Sequence, residues 1–332
     1  MGNPSKTGQE IIDEIAGGYR ASQILLTANR IGLFRLLADR LLPPEGIAEA
    51  LDADLRAVRI LCDALVSLCL LEKDGRLYRN SPISQEYLVP GNSQSKVAQL
   101  HHAAKLYETW KNLFDVVKTG HPSGEDAIDP RLIGDSRKFA EAMADTARSV
   151  ATRTAVQIDL SKARKMLDLG GGPGLYSIAF AHRYPQLQAV IMDSAETLEV
   201  ASENIGKAGL SERISVRPGD AFQDDLGDEY DFVLLSNLVH IYSMEENRQL
   251  VSKCSDALNL GGLLCIKDFM LDNTRTGPLW ATLFAVNMLV NTDRGNCYTL
   301  EEMTSWFEAA GLTLFDVLGL TAQSMLVLAR KI

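Results

Sequence analysis

A glycine-rich loop is the first candidate for chemistry in this chain. Gly170-Gly171-Gly172-Pro173-Gly174 follows a short apolar segment, Lys165-Leu169, and precedes a helical stretch. Glycine lets the backbone turn sharply and approach a ligand that a Cβ would exclude. The spacing is GxGxG, and the third glycine of the dinucleotide fingerprint GxGxxG is replaced by Leu175. The loop therefore indicates a nucleoside ligand other than a nicotinamide dinucleotide.

Three acidic residues stand where successive predicted strands end. Asp168 would repel a pyrophosphate but suits the cationic amino-acid end of S-adenosylmethionine (SAM), and Asp193 can accept both ribose hydroxyls. Asp220 can accept the adenine amino group, while Phe222 offers an apolar face to the ring. One such acid could be a solvated loop residue, but three at strand carboxyl ends predict a SAM site. The cofactor-binding prediction comprises Asp168, Gly170, Gly171, Gly172, Asp193, Gly219, Asp220, Ala221, Phe222 and Ser236. The sequence shows no cluster of carboxylates of the kind that would indicate a metal site.

The second half of the chain alternates short apolar runs with helical stretches, which is typical of βαβ units and a parallel sheet. The last two runs are separated by only three residues, too few for a parallel crossover, so the final strand is predicted to pair antiparallel. The fold class is α/β, with a seven-stranded Rossmann-like sheet. The predicted strands are 165–169, 189–193, 214–217, 231–236, 263–268, 314–320 and 324–329.

The first 105 residues follow a different pattern. Helical periodicity over about residues 10–42, a short helix, a longer helix from Asp54 through Leu71 and a hairpin signal at 73–76 are the order of a winged helix. The region carries twelve basic and twelve acidic residues, and its third helix has a burial pattern, so dimerisation or a substrate lid is favoured over DNA binding. We predict a dimerisation domain over 1–105, a SAM-binding domain over 106–332 and a homodimer.

The composition of the chain argues against several classes of function. The 332 residues are 46% hydrophobic and 23% charged, with a net charge of −10, which argues against a nucleic-acid partner. No apolar run reaches the length of a membrane span, and no secretory signal is apparent, so the expected location is the cytoplasm. The five cysteines lack metal-ligand spacing and are expected to be reduced, mostly core-filling thiols.

At this point the sequence resembles the small-molecule O-methyltransferases typified by plant caffeate O-methyltransferase and bacterial antibiotic-pathway enzymes. The resemblance covers nearly the whole chain, including the winged-helix dimerisation region. The segment from Val233 through Tyr242 is similar to the family stretch that contains His-Asp-Trp. The resemblance implies that His240 is the general base. A neutral imidazole can remove the proton of a phenol, which is otherwise a poor nucleophile at neutral pH.

The sequence departs from the family pattern around this histidine. Ile241 and Tyr242 replace the aspartate and tryptophan, and Cys297 stands near the place of a glutamate that orients the base. His240 is therefore expected to lack its usual acidic partner unless Asp293 or Glu301 substitutes. On the acceptor side, the resemblance implies a wall formed by Phe139, Met143, Trp280, Phe284, Asn287 and Met288, although such a stripe can also be plain core.

Three functions compete, and a purely structural dimer is a fourth possibility that the nucleoside site disfavours. The first is methylation of a phenolic or enolic oxygen on a small aromatic or polyketide-like molecule. The second keeps SAM but methylates carbon or nitrogen, or supports hydroxylation or decarboxylation, and Ile241 and Cys297 favour it. The third is a winged-helix metabolite sensor, which the balanced charge of the first domain opposes.

Overall fold

The computed structural model describes residues 6–92, 94–122 and 136–332. The chain divides into two compact units, one ending at Lys105 and one running from Leu106 to Ile332. Among the described residues, no helix is both long enough and apolar enough to cross a membrane.

In its described residues, the smaller unit consists of helices and one hairpin. Its elements are α1 (Gly8–Gly17), α2 (Tyr19–Arg30), α3 (Leu33–Leu36), α4 (Pro44–Ala50), α5 (Leu55–Ser67), β1 (Leu71–Asp74), β2 (Leu77–Asn80) and α6 (Pro82–Tyr87), followed by α7 (Val97–Trp110), which continues into the larger unit. Helix α5 begins where Asp54 accepts a hydrogen bond from the backbone of Ala57 at 2.8 Å. Helices α4 and α5 and the antiparallel hairpin follow the order of a winged helix.

Two helix boundaries differ from those predicted. The helix expected to reach Leu71 ends at Ser67, because Cys69 adopts a left-handed φ of +60° and Leu71 starts the hairpin. The run expected over about 10–42 is three helices, and the break before α3 coincides with Gly32 at φ +77°. No residue of α1 is buried within the chain, and its Ile12 and Ile15 are 67% and 76% exposed.

The larger unit is an α/β layer structure. Its helices are α8 (Leu113–Thr119), α9 (Ser136–Gln157), α10 (Leu175–Arg183), α11 (Ala195–Lys207), α12 (Met244–Ala257), α13 (Leu279–Asn291) and α14 (Leu300–Ala309). Its strands are β3 (Lys165–Leu169), β4 (Gln188–Asp193), β5 (Ile214–Pro218), β6 (Tyr230–Ser236), β7 (Leu258–Asp268), β8 (Met270–Leu271), β9 (Tyr298–Thr299), β10 (Leu312–Gly319) and β11 (Met325–Lys331).

Seven of these strands form one sheet in the described part of the chain, in the order β10-β11-β7-β6-β3-β4-β5. Strands β5, β4, β3, β6 and β7 run parallel, and β11 pairs antiparallel with β7. The predicted fold class and the antiparallel final strand are therefore confirmed. Strand β7 begins five residues earlier than predicted, at Leu258 instead of Leu263.

Both faces of the sheet are buried, as the near-continuous apolar strands require. Along β6, Phe232 and Leu234 join the apolar cluster formed with α9, α10 and α11. Val233 and Leu235 point the other way, into the cluster formed with α12 and α14. This alternation holds the strands rigidly, and with them the loops at their carboxyl ends.

The cysteines are free thiols, and four of them are buried: Cys62, Cys254, Cys265 and Cys297. Only Cys69 of the five is exposed. Burial raises the pKa of the Cys62, Cys254 and Cys297 thiols to about 12, and that of the Cys265 thiol still further. These four side chains therefore act as small apolar groups, as expected from the sequence.

Strand β7 offers a matched test of core packing. Leu264 is fully buried, whereas Leu260 on the same strand is 80% exposed. We expect Leu264→Ala to lower the free energy of unfolding by about 2–5 kcal/mol, because it removes buried methyl groups and leaves a cavity. Leu260→Ala should change it by less than about 0.5 kcal/mol. Denaturant titration of both variants checks this, and equal effects would contradict the burial of Leu264.

Candidate active site

The glycine-rich loop connects β3 to α10 at the carboxyl edge of the sheet. Gly170 and Gly172 have φ of +66° and +54°, a region that residues with a Cβ rarely adopt. A Cβ on Gly170 would lie 2.7 Å from Cδ1 of Leu238, in the loop that follows β6. The backbone N–H of Gly170 also donates to the carbonyl of Met192 at 2.8 Å. The loop is thus held close to the ends of β4 and β6.

Asp168 lies beneath this loop and is fully buried. One carboxylate oxygen accepts a hydrogen bond from the Ser177 hydroxyl at 2.7 Å. The other oxygen, Oδ1, is buried and has no hydrogen-bond partner among the described residues. Burial raises the pKa of Asp168 to about 6, and the nearby negative charge of Asp193 acts in the same direction. Asp168 is therefore an incompletely satisfied anion at the floor of the loop.

Asp193 ends β4 and joins it to the loop. Its Oδ2 accepts from the backbone N–H of Gly172 at 2.9 Å, and its Oδ1 accepts from Ser194 N–H at 2.7 Å. These two bonds bring the second predicted acid to the same edge of the sheet as the glycine loop. The carboxylate is half-buried.

The segment after β5 forms a tight turn around Asp220. Its Oδ1 accepts from the backbone N–H groups of Phe222 and Gln223 at 2.7 and 3.1 Å. The Phe222 ring meets the Tyr242 ring edge-on, with centroids 4.8 Å apart. Gly219 is packed so closely that a Cβ there would clash with the terminal carbon of Met192. Ala221 and Phe222 are half-buried, and Asp220 is exposed.

His240 lies in a single 3-10 turn, Val239–Ile241, after β6. The Asn247 side chain donates to the Val239 carbonyl at 2.8 Å, and Asn296 N–H donates to the His240 carbonyl at 2.9 Å, so the turn is held from two sides. The imidazole Nδ1 lies 2.7 Å from Oδ1 of Asp268, the last residue of β7. Both side chains are buried.

Asp268 is the acidic partner that the sequence analysis did not find. Asp293 and Glu301, the two carboxylates considered there, are exposed. Strand β7 lies beside β6 in parallel register, with Ser236 opposite Lys267, so the next residue of β7 reaches the turn that carries His240. The rule used for the SAM acids, carboxylates at the ends of adjacent parallel strands, could have identified it.

The three residues that depart from the family pattern lie among apolar side chains. Ile241 and Tyr242 are half-buried against the apolar cluster on the α12 face. Cys297 is fully buried in a small cluster with Leu271 and Ala281. None of the three supplies a charge to His240.

An aromatic group packs around the histidine. The Phe284 ring on α13 meets the imidazole edge-on with centroids 4.9 Å apart, and Phe269 stacks on it at 6.1 Å. Phe269 also contacts Phe284 at 4.4 Å and Trp280 at 6.2 Å. The predicted aromatic residues of α13 therefore lie on the side of His240, and Phe269 is an additional member that the sequence analysis missed.

The remaining predicted residues are distributed as follows. Asn287 and Met288 are buried on α13, Asn287 with its Oδ1 2.8 Å from the Trp110 indole nitrogen. Ser236 is buried at the end of β6, and Met143 is half-buried on α9. The side chain of Phe139 lies outside the described residues. Within the described ranges, no group of three or more His, Cys, Asp or Glu side chains could hold a metal ion.

Comparison with known proteins gives the family. Residues 128–313 match the O-methyltransferase domain model, and residues 13–90 match the O-methyltransferase dimerisation domain model. The chain is 32% identical over 93% of its length to 3-hydroxy-5-methyl-1-naphthoate 3-O-methyltransferase of Streptomyces sahachiroi, covering 90% of that protein. It is 31% identical to the N,N-dimethyltransferase OxyT of Streptomyces rimosus, over 79% of each chain.

A solved structure agrees with the sequence relatives. Human N-acetylserotonin methyltransferase in complex with SAM superimposes with a TM-score of 0.88 and 26% identity, covering 100% of this chain and 99% of that one. The resemblance found in the sequence is confirmed, and so is SAM as the cofactor. The chain therefore belongs to the O-methyltransferase family, as a SAM-dependent enzyme that carries its own dimerisation domain.

Proposed function

We propose that this enzyme methylates a phenolic or enolic oxygen of a small aromatic or polyketide-like molecule, with His240 as the general base. The observation that carries the proposal is the buried pair of His240 and Asp268, with Nδ1 and Oδ1 2.7 Å apart, beside an aromatic wall. The naphthoate named for the Streptomyces sahachiroi relative is an acceptor of this class.

The residues present fit SAM. Gly172 faces open space that a side chain would enter, and the unpartnered Oδ1 of Asp168 is a buried acceptor for a cationic group. We assign Asp168, Gly170, Gly171 and Gly172 to the amino-acid end and Asp193 to the ribose hydroxyls. Gly219, Asp220, Ala221, Phe222 and Ser236 complete the predicted site. When bound, SAM supplies an electrophilic methyl group on a sulfonium sulfur.

The hydrogen bonds around Asp268 determine the tautomer of the neutral His240 ring. Oδ1 of Asp268 also accepts from Phe269 N–H at 2.8 Å, so it is an acceptor, and the His240 Nδ1 facing it carries the hydrogen. The lone pair of the neutral imidazole is then on Nε2. That nitrogen removes the proton of the acceptor hydroxyl, and Asp268 stabilises the resulting imidazolium.

The acceptor pocket proposed here is apolar. Trp280, Phe284 and Met288 of α13, with Phe269 and Met143, supply aromatic and thioether surfaces, and Phe139 stays a prediction. Aromatic faces suit a planar ring that must present its oxygen in line with the transferable methyl.

The proposed binding partners rest on the first domain and on its charge. We propose a homodimer, because the apolar residues of α1 are exposed and residues 13–90 match a dimerisation domain model. We propose no nucleic-acid partner, since basic and acidic residues balance in the first 105 residues, and no membrane partner. The cytoplasmic location stays a prediction.

Nitrogen methylation is the second candidate, because of the similarity to the N,N-dimethyltransferase OxyT. Incubating the enzyme with SAM labelled with ¹³C in the methyl group and a panel of hydroxyarenes and arylamines separates the two. The chemical shift of the labelled methyl in the product distinguishes O–CH₃, N–CH₃ and C–CH₃. Exclusive N- or C-methyl products would overturn the proposal.

His240→Ala should lower turnover by about 10²- to 10⁴-fold, because it removes the base. Binding of S-adenosylhomocysteine (SAH), measured by calorimetry, should stay within about twofold of the wild type. His182→Ala, at an exposed position, is the control. Unchanged turnover in His240→Ala would exclude the histidine from the mechanism.

Asp268→Asn should lower turnover by about 10- to 100-fold, because an amide cannot stabilise the imidazolium as a carboxylate does. Asp293→Asn removes one of the carboxylates considered from the sequence and should leave turnover within about twofold. Steady-state kinetics of both variants, with an acceptor identified in the ¹³C-methyl experiment, decides between the two carboxylates. The reverse order would assign the role of partner to Asp293.

Asp168→Asn should change how stability depends on pH. The folded-state pKa of about 6 exceeds the unfolded value of about 3.9, so the folded wild type loses stability as pH rises between these values. Above pH 6 the ligand-free variant should be more stable than the wild type, by up to about 3 kcal/mol, and it should bind SAH at least about tenfold more weakly.

Denaturation of the ligand-free proteins between pH 4 and 8 measures this difference. Asp293→Asn serves again as the control and should follow the wild type at every pH. Parallel curves for the wild type and Asp168→Asn would show that burial does not disfavour the Asp168 carboxylate.

A further inference from the structure

A buried lysine lies next to the residue that pairs with the base, and the mechanism proposed above does not use it. Lys267 is the penultimate residue of β7, directly before Asp268, and it is only 4% exposed. Its Nζ donates to Oδ1 of Asn237 at 2.6 Å, in the loop between β6 and the turn that carries His240. The amino group of Lys267 therefore lies at the same edge of the sheet as the base.

The Lys267 ammonium group forms no ion pair within the described part of the chain. An ammonium carries three donors, and the Asn237 oxygen is the one acceptor that it meets among the described residues. Successive residues of a strand point to opposite faces, and the Asp268 carboxylate lies against His240 instead. Burial lowers the pKa of Lys267 to about 8, with the charge of Asp268 opposing the shift, so the group stays charged at neutral pH. Because buried charges are normally paired, this ammonium is suited to an anionic ligand.

The neighbours of the Lys267 amino group place it on the acceptor side of the site. The centre of the Phe269 ring lies 5.3 Å from Nζ and 6.1 Å from the centre of the His240 ring. The same ring contacts Phe284 of the proposed acceptor wall. Asp168, which we assign to the amino-acid end of SAM, is on β3, and β6 separates that strand from β7. An aromatic acceptor on this wall, with its hydroxyl at His240, can therefore present a second substituent to Nζ.

We propose that the Lys267 ammonium binds a carboxylate of the methyl acceptor, carried on a ring position other than the one that is methylated. This inference rests on the proposed function and narrows its substrate class to hydroxyaryl carboxylates. A hydrogen bond between two charged groups is about twice as strong as a neutral one, so these acceptors should be preferred over neutral acceptors of equal size.

Two pairs of acceptors that are nearly equal in size and differ in charge test this preference. They are 4-hydroxy-2-naphthoate with 4-hydroxy-2-naphthamide, and 6-hydroxy-2-naphthoate with 6-hydroxy-2-naphthamide. The readout is the ratio of kcat/KM for the carboxylate to kcat/KM for the carboxamide. In the wild type, this ratio should be about 10 to 100 in at least one pair, as expected for a hydrogen bond to a charged group. A ratio of one or less in both pairs would overturn the proposal.

Lys267→Met removes the charge and keeps an unbranched side chain of similar length. The ratio should fall to one or below, because the acceptor carboxylate would be buried without a counter-ion, while kcat/KM for the carboxamide stays within about threefold. Lys331→Met is the matched control and should keep the wild-type ratio. The Lys331 amino group donates to the carbonyls of Ser255 and Leu258, at the start of β7 and thus at the opposite edge of the sheet. An unchanged ratio in Lys267→Met would contradict the assignment.

Lys267→Gln separates binding of the acceptor from a role in holding the loop before His240. Glutamine keeps an N–H donor near Asn237 but carries no charge, so the ratio should fall as it does in Lys267→Met. If the lysine only held Asn237, Lys267→Gln would resemble the wild type, and Lys267→Met would lower kcat/KM for both members of a pair equally. That pattern would show a structural role and overturn the proposal.

SAM also carries a carboxylate, in its amino-acid part, and this second source of the same group needs its own measurement. Calorimetry of SAH binding to the wild type and to Lys267→Met separates the two sources. An ammonium that binds the acceptor leaves the dissociation constant of SAH within about twofold. A tenfold or greater loss of SAH affinity in Lys267→Met would assign Lys267 to the cofactor instead.

Failure of the proposed function gives a different result. If the wild type methylates none of the four compounds, methylation of this acceptor class is wrong, and Lys267 is tested by binding alone. Calorimetry then compares 2-naphthoate with 2-naphthamide, each added to the complex of the enzyme with SAH. Tighter binding of 2-naphthoate to the wild type, lost in Lys267→Met, would support the carboxylate site, and equal dissociation constants for the two compounds would exclude it.

Discussion

The site depends on one constraint: five neighbouring strands of the sheet run parallel, so their carboxyl ends meet at a single edge. This edge gathers Asp168 from β3, Asp193 from β4 and Asp268 from β7, although they are far apart in sequence. Because backbone hydrogen bonds and two buried apolar faces hold the strands, the positions of these side chains vary little. Bonds between adjacent strand ends, such as Gly172 N–H to Asp193 and His240 to Asp268, then complete the arrangement.

The sequence contained enough information for the architecture and for most of the residues at this edge. Alternating apolar and helical runs are a local signal, and so are a glycine-rich loop and acids at the ends of successive strands. Helix α5 was predicted too long because Cys69, a residue with a side chain, adopts the left-handed conformation that ends the helical segment. Local propensity does not contain that information, since the surrounding packing imposes the conformation.

The partners of His240 and Asn287 were harder to predict for a related reason. Asp268 is 28 residues from His240, and Trp110 is 177 residues from Asn287. The sequence indicated that His240 needed an acidic partner, but which residue it is depends on strand register, and the contact of Asn287 depends on how the end of α7 meets α13. Such contacts are properties of tertiary packing, and a single sequence does not reveal them.

The distribution of the thiols has a practical consequence. Four cysteines are enclosed in apolar surroundings, and their raised pKa values leave almost no thiolate at neutral pH. Cys69, in the turn between α5 and the hairpin, is the one thiol that solvent reaches. A maleimide dye or spin label would therefore attach at a single point per subunit without mutagenesis. A pair of such labels would report the distance between the two hairpins of an assembled dimer.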